Sequence, residues 1–191
     1  MAAGKAMTGT SENGGLRKGG GWWRIAPWVG AAALLAIPLA AMRFTDEVVW
    51  TGSDFAVVGA MLALACGTFE LAARMRGDWA YRAGAGLAIV TAVLLIWVNL
   101  AVGYIGDEGD PINLLFAGVL AVAVLGGAAA RWRPGGLART LAATALAQAL
   151  AGGYGVVSGR ESAALLLPTA AFTALWLGAA WLFRRAAARD A

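Results

Sequence analysis

Six long apolar runs separated by short polar intervals set the pattern of this chain: Ile25–Met42, Phe55–Ala73, Ala83–Gly106, Pro111–Ala130, Thr140–Gly159 and Ser162–Phe183. Each approaches the roughly 20 residues that a helix rising 1.5 Å per residue needs to cross a hydrocarbon core of about 30 Å. The pattern therefore predicts an all-α polytopic transmembrane helix bundle of six spans, occupying residues 24–185. Five of the runs hold no charged residue, and the second holds only Glu70. The fifth, "TLAATALAQALAGGYGVVSG", is the most dilute, because Gln148, hydroxyl residues and glycines interrupt it. Residues 1–23 are rich in Gly, Ser, Thr and Lys without an apolar period, which predicts a disordered cytoplasmic tail; residues 186–191 form a second, short tail. A signal peptide is the alternative for the N-terminus. The charged stretch is long for one, the run behind it exceeds the usual 7–15 residues, and no A-x-A site follows, so an uncleaved first span is expected.

The charges between the runs test this count independently. With six spans and the N-terminus inside, Lys5, Arg17, Lys18 and Arg24 lie on the same side as Arg74, Arg76 and Arg82, as Arg131, Arg133 and Arg139, and as Arg184, Arg185 and Arg189. Of the 15 basic residues, only Arg43 and Arg160 fall on the other side, which instead collects Asp46, Glu47, Asp54, Asp107, Glu108, Asp110 and Glu161. Lys and Arg gather in cytoplasmic loops, so both termini are expected in the cytoplasm of a bacterial inner membrane. A five-span arrangement would break the alternation. Two basic loops, "ARMRGDWAYR" and "ARWRPGGLAR", also resemble one another; duplicated helical hairpins, or simply two basic loops recurring at the interval of a hairpin, would both explain this.

Composition agrees with the membrane class: 60% hydrophobic and 14% charged, where soluble domains average about 45–50% apolar and about 25% charged. The net charge of +4 is accounted for by topology, so no nucleic-acid partner is expected. The absence of His removes imidazole metal sites and His proton relays. The single Cys66 lies within an apolar run and reads as a small core residue. No P-loop, nucleophile elbow, CxxC or dinucleotide fingerprint occurs, so neither an enzyme nor a cofactor is expected. Trp22, Trp23, Trp28, Trp50, Trp79, Trp132, Trp176 and Trp181 fall near span ends, as an interfacial belt would, with Trp97 deeper.

Two sets of polar residues could carry chemistry. The first surrounds "WVNLAVGYIGDEGDPINLLF", where the acidic turn between the third and fourth spans joins Asn99, Asp107, Glu108, Asp110 and Asn113, all oxygen-bearing groups suited to a hard cation or an amine. The bland reading of that loop is a solvated hairpin turn, with Asp110 as N-cap and Pro111 at the first helical position. The second set lies at depth. Glu70 is followed by Arg74 four residues on, so it is either an intramembrane proton or cation acceptor or a side chain snorkelling towards the headgroups and paired to Arg74. Gln148 reads as an amide bonding across helices, or as part of a polar path.

The stretch just quoted, followed by "ARWRPGGLARTLAATALAQAL", resembles a family of small bacterial multi-pass membrane proteins with no assigned function. The resemblance covers about Trp50–Leu150 and implies that Trp97, Asn99, Glu108, Pro111 and Asn113 form the characteristic part of the protein; it brings no activity. Two functions are compatible with the residues. One is a non-enzymatic small subunit or accessory protein that associates in the bilayer with lipid, with other membrane subunits or with a second copy. The other is a small transporter or channel for cations or amines, fed by the acidic loop and ending at Glu70.

Overall fold

The structure, a computed structural model, describes residues 22–189. It contains six helices: α1 (Trp22–Ala41), α2 (Gly52–Met75), α3 (Trp79–Ala101), α4 (Leu114–Ala129), α5 (Pro134–Val157) and α6 (Leu166–Ala187), with 3-10 turns at Pro111–Asn113 and Ala163–Leu165. All six, with their 3-10 turns, are long and apolar enough to cross a membrane. The chain is a multi-pass membrane protein.

Local sequence explains where the helices begin. Thr51 and Asp54 form a reciprocal capping box at the start of α2, satisfying amides that an isolated helix end leaves open. Asp78 caps α3 by accepting from the Tyr81 amide, 3.2 Å. Pro134 opens α5, where its missing N–H costs nothing.

Several expected boundaries move. The third helix ends at Ala101, not Gly106, because Gly103 takes a left-handed φ of 74° and turns the chain back on itself. The fifth begins at Pro134, not Thr140, and so carries Arg139 within its first turns. The sixth runs on to Ala187, into the expected C-terminal tail. Trp22 and Trp23, assigned to the N-terminal tail, begin α1; residues 1–21 and 190–191 lie outside the described residues.

The helices pack in the order α1, α2, α3, α6, α5, α4, so that sequence neighbours α3 and α4 meet only slightly. Lipid is as apolar as a leucine side chain, so close van der Waals approach replaces the hydrophobic effect as the force between helices. The tightest contact joins α5 to α6, where a Cβ added at Gly152 would overlap the Thr169 side chain. Between α4 and α5, a Cβ at Gly126 would fall 2.6 Å from Thr140 Cγ2. Tyr81, Leu95, Phe116, Val119, Leu141, Trp176 and Phe183 fill the core formed by α3–α6. Trp176 is thus a core residue, 1% exposed, and not the interfacial tryptophan its sequence position suggested. Cys66 is buried, as expected of a small core residue. Helix α1 lies at the margin, packed chiefly on α2.

Antiparallel succession places the loops at two faces. One, here called the basic face, holds residues 76–78, 130–133 and the end of α6; Arg189 pairs there with Asp78, 2.7 Å. The other, the acidic face, holds residues 102–110 and 158–162.

Candidate functional site

The acidic face is built by the loop between α3 and α4. After Gly103, Tyr104 and Ile105 turn inward and are buried in the core. Gly106, again left-handed at φ 69°, returns the chain to the surface, where Asp107, Glu108 and Gly109 are exposed. Burial pushes the Tyr104 phenol above its ordinary value, and its hydroxyl donates weakly to Thr169 Oγ1, 3.5 Å, well inside the bundle.

Asn113 organises this loop. Its Oδ1 accepts from the amides of Tyr104 and Ile105, both at 3.0 Å, and its Nδ2 donates to the carbonyls of Ile105, 3.1 Å, and Asp107, 2.7 Å. One amide side chain therefore bonds to four backbone groups of the loop that follows α3, where no helical ladder pairs them. Asp110 Oδ1 caps the next turn through the Ile112 amide, 3.0 Å, while its Oδ2 meets Arg160 Nη1 at 2.9 Å. Glu161 Oε1 accepts from the Gly106 amide, 2.7 Å. Asp107 accepts from the Gly109 amide, 3.1 Å. The 102–110 loop is thus fastened to the 158–162 loop by two long-range bonds, and these two acids, Asp110 and Glu161, have structural partners.

Asn99 is not part of that arrangement. Its Nδ2 donates to Leu95 O, 2.8 Å, within α3, and its Oδ1 is buried with no partner among the described residues; no hydrogen bond joins it to Asn113, whose side chain bonds to the loop backbone. Among the described residues, no three Asp, Glu or Cys side chains come together as metal ligands would.

Glu70 sits near the basic end of α2. The expected pair with Arg74 is present, 2.6 Å, and a second arginine joins it: Arg24 of α1 reaches the same Oε1 from Nη2, 2.8 Å, and Nε, 3.1 Å. Sequence reasoning missed Arg24 by placing it with the tail. The signal was available, for Arg24 and Glu70 each lie about one turn from the basic end of adjacent antiparallel helices and so share one depth.

Gln148 is completely buried, and neither amide atom has a hydrogen-bond partner within 3.5 Å among the described residues, although the amide lies near enough to the Tyr104 phenol to favour its ionised form. The cross-helix contact it makes is therefore a loose one, to Tyr104. The neighbouring hydroxyl of Thr144 turns back to Thr140 O in its own helix, 3.0 Å, and Trp176 Nε1 is buried without an acceptor among the described residues.

A groove of about 960 Å³ opens between the outer halves of α4 and α5. Its rim is polar, formed by Asp110, Arg160 and Tyr154, and its walls are apolar. A smaller groove of about 480 Å³ separates α1 from the start of α2, lined by Leu35, Leu39 and Phe55 among others. Neither includes Glu70, Asn99 or Gln148.

No protein-family model, curated protein or solved structure matches the chain. The resemblance drawn from the sequence rests on the two stretches quoted for it, residues 97–116 and 130–150. What the geometry assigns is local: Asn113, Asp110 and Glu161 hold the acidic face together, and Glu70 holds α1 to α2.

Proposed function

We propose that the protein is a non-enzymatic small subunit or accessory protein of the bacterial inner membrane, acting by lateral association, with α1 and α2 as its docking arm. The observation that carries this reading is the marginal position of α1. It rests chiefly on α2, while Ile25, Val29, Leu34, Ile37 and Leu39 remain more than half exposed. On α2, Leu64 is exposed and a Cβ at Gly67 would meet nothing within 4 Å, leaving room for a further helix to approach closely. The partner is another membrane subunit or a second copy. Basic loops on one face support cytoplasmic termini.

The alternative, a transporter or channel for cations or amines, needs the acidic loop, a polar group at mid-depth and Glu70 along one passage. The residues lie apart: Glu70 is engaged by two arginines at the α1–α2 contact, Gln148 is sealed within the core, and the loop carboxylates Asp110 and Glu161 fasten the acidic face. Association is therefore the better-supported reading.

Photocross-linking residues placed singly at Leu34 and Leu64 of the full chain in intact membranes test it. Discrete adducts of defined mass from these positions are expected, with none from Leu146 or Leu167, which are exposed on α5 and α6. Equal labelling at all four positions, or none at any, would overturn the proposal.

A further inference from the structure

The groove between α4 and α5 has a depth, a polarity and a closed end that together select an occupant. It runs from Pro111 to Val122 along α4, about 17 Å at 1.5 Å per residue, close to half of a hydrocarbon core of about 30 Å. Below Val122 the helices converge, and at Gly126 the Thr140 side chain leaves no room even for a Cβ. A partner helix crossing the membrane would need a groove through both leaflets. This one serves a single leaflet, so its length fits an acyl chain better than a spanning helix.

The rim gives the chemistry of the other end. Leu114, Leu115, Val119 and Leu150 form apolar walls, and polar side chains appear only at the top, where Arg160 and Asp110 meet across the mouth with Tyr154 beside them. Arg160 spends one N–H on Asp110 and its side chain is 52% exposed, which leaves further guanidinium donors for a phosphate oxygen. Beside it the charge is opposite: Asp110, the carboxylate that lines the mouth, uses Oδ1 on the Ile112 amide and Oδ2 on Arg160, and each carboxylate oxygen keeps a further lone pair for a donor. A purely anionic headgroup would meet a cation and a carboxylate side by side. A zwitterion with a phosphate for Arg160 and an N–H-bearing ammonium for Asp110 is complementary in both charge and hydrogen bonding.

We propose that this groove is a binding site for one glycerophospholipid of the leaflet at the acidic face, whose headgroup carries a primary ammonium. The acyl chain lies along α4 between the walls named above. The phosphate is held by Arg160 beside Tyr154, and the ammonium faces Asp110. The inference does not depend on the docking role of α1 and α2, which lie on the far side of the packing order.

Native mass spectrometry of the full chain, equilibrated with equal amounts of phosphatidylethanolamine, phosphatidylcholine and phosphatidylglycerol, tests it. One phosphatidylethanolamine should be retained at least about tenfold in preference to either competitor, equivalent to about 1.4 kcal/mol. Gly118→Phe fills the groove from a position where a Cβ meets nothing within 4 Å, and should abolish retention while preserving the ion pair; Arg160→Gln should lower it about tenfold, within the range of one charge-assisted hydrogen bond. Leu146→Phe, on the exposed face of α5 outside the groove, should leave it unchanged. Equal retention of the three lipids, undiminished binding to a folded Gly118→Phe variant, or a disulfide-linked dimer formed through Leu150→Cys at the groove wall would each overturn the proposal, the last by identifying a second copy as the occupant.

Discussion

The hydroxyl of Tyr81 donates to the carbonyl of Trp132 across 3.1 Å, joining the first turn of α3 to the connection between α4 and α5. That connection is strained: Arg131 and Trp132 are consecutive non-glycine residues in the left-handed region, at φ 50° and 58°, which L side chains enter at a cost of about 1–2 kcal/mol each. The two basic loops that resemble each other in sequence are thus in direct contact at one face of the bundle. Replacing Arg131, whose side chain is exposed, by glycine should stabilise the protein by about 1 kcal/mol. Tyr81→Phe should cost about 1 kcal/mol, the usual net worth of one hydrogen bond. Thermal unfolding in detergent micelles reads both, and shifts of the same sign would contradict the account.

The acidic loop should separate its acids from its amide. Asn113→Ala removes four bonds to backbone groups and should destabilise by about 2–4 kcal/mol, at roughly 1 kcal/mol for each bond. Asp107→Asn with Glu108→Gln should stay within about 0.5 kcal/mol, as exposed substitutions do. A double variant as damaging as Asn113→Ala would show that Asp107 and Glu108 hold something besides water.

Gln148 offers a test in the opposite direction. A buried amide with no partner within hydrogen-bond distance among the described residues carries a desolvation penalty of about 1–3 kcal/mol that a loose contact with the Tyr104 phenol offsets only in part, so Gln148→Met, similar in length and volume, should raise the melting temperature. A lowered melting temperature would mean that the amide is engaged and that α5 depends on the engagement.

Asp78 gives the basic face a pH dependence. Burial works against its ionised form, but the hydrogen bond from Arg189 and the Tyr81 amide outweigh it and hold the carboxyl below its ordinary value of 3.8. Because the folded value is the lower one, the stabilisation is complete above the unfolded value and is lost as pH falls through the folded value. Amide exchange at the end of α6 should therefore be unchanged between pH 8 and pH 6, after correction for the intrinsic rate, and should accelerate only below about pH 4. Asp78→Asn should abolish that acid-dependent step.

The six spans and the segregation of arginines to one face were legible in the sequence because both are sums over local residues: a hydrocarbon core sets the length of an apolar run, and loop charge adds up segment by segment. The Asp110–Pro111 helix start and the Glu70–Arg74 pair were legible for the same reason, since each spans a few residues of one chain segment. Tertiary structure alone decided that Arg160 and Glu161 fasten the 102–110 loop, that Asn113 spends its whole amide on that loop, and that Trp176 and Gln148 turn inward. A helix that is apolar around its entire circumference has no polar face to say which side packs. That choice fell to shape, at close approaches such as Gly152 against Thr169 and Gly126 against Thr140, and those approaches exist only once helices distant in sequence have met.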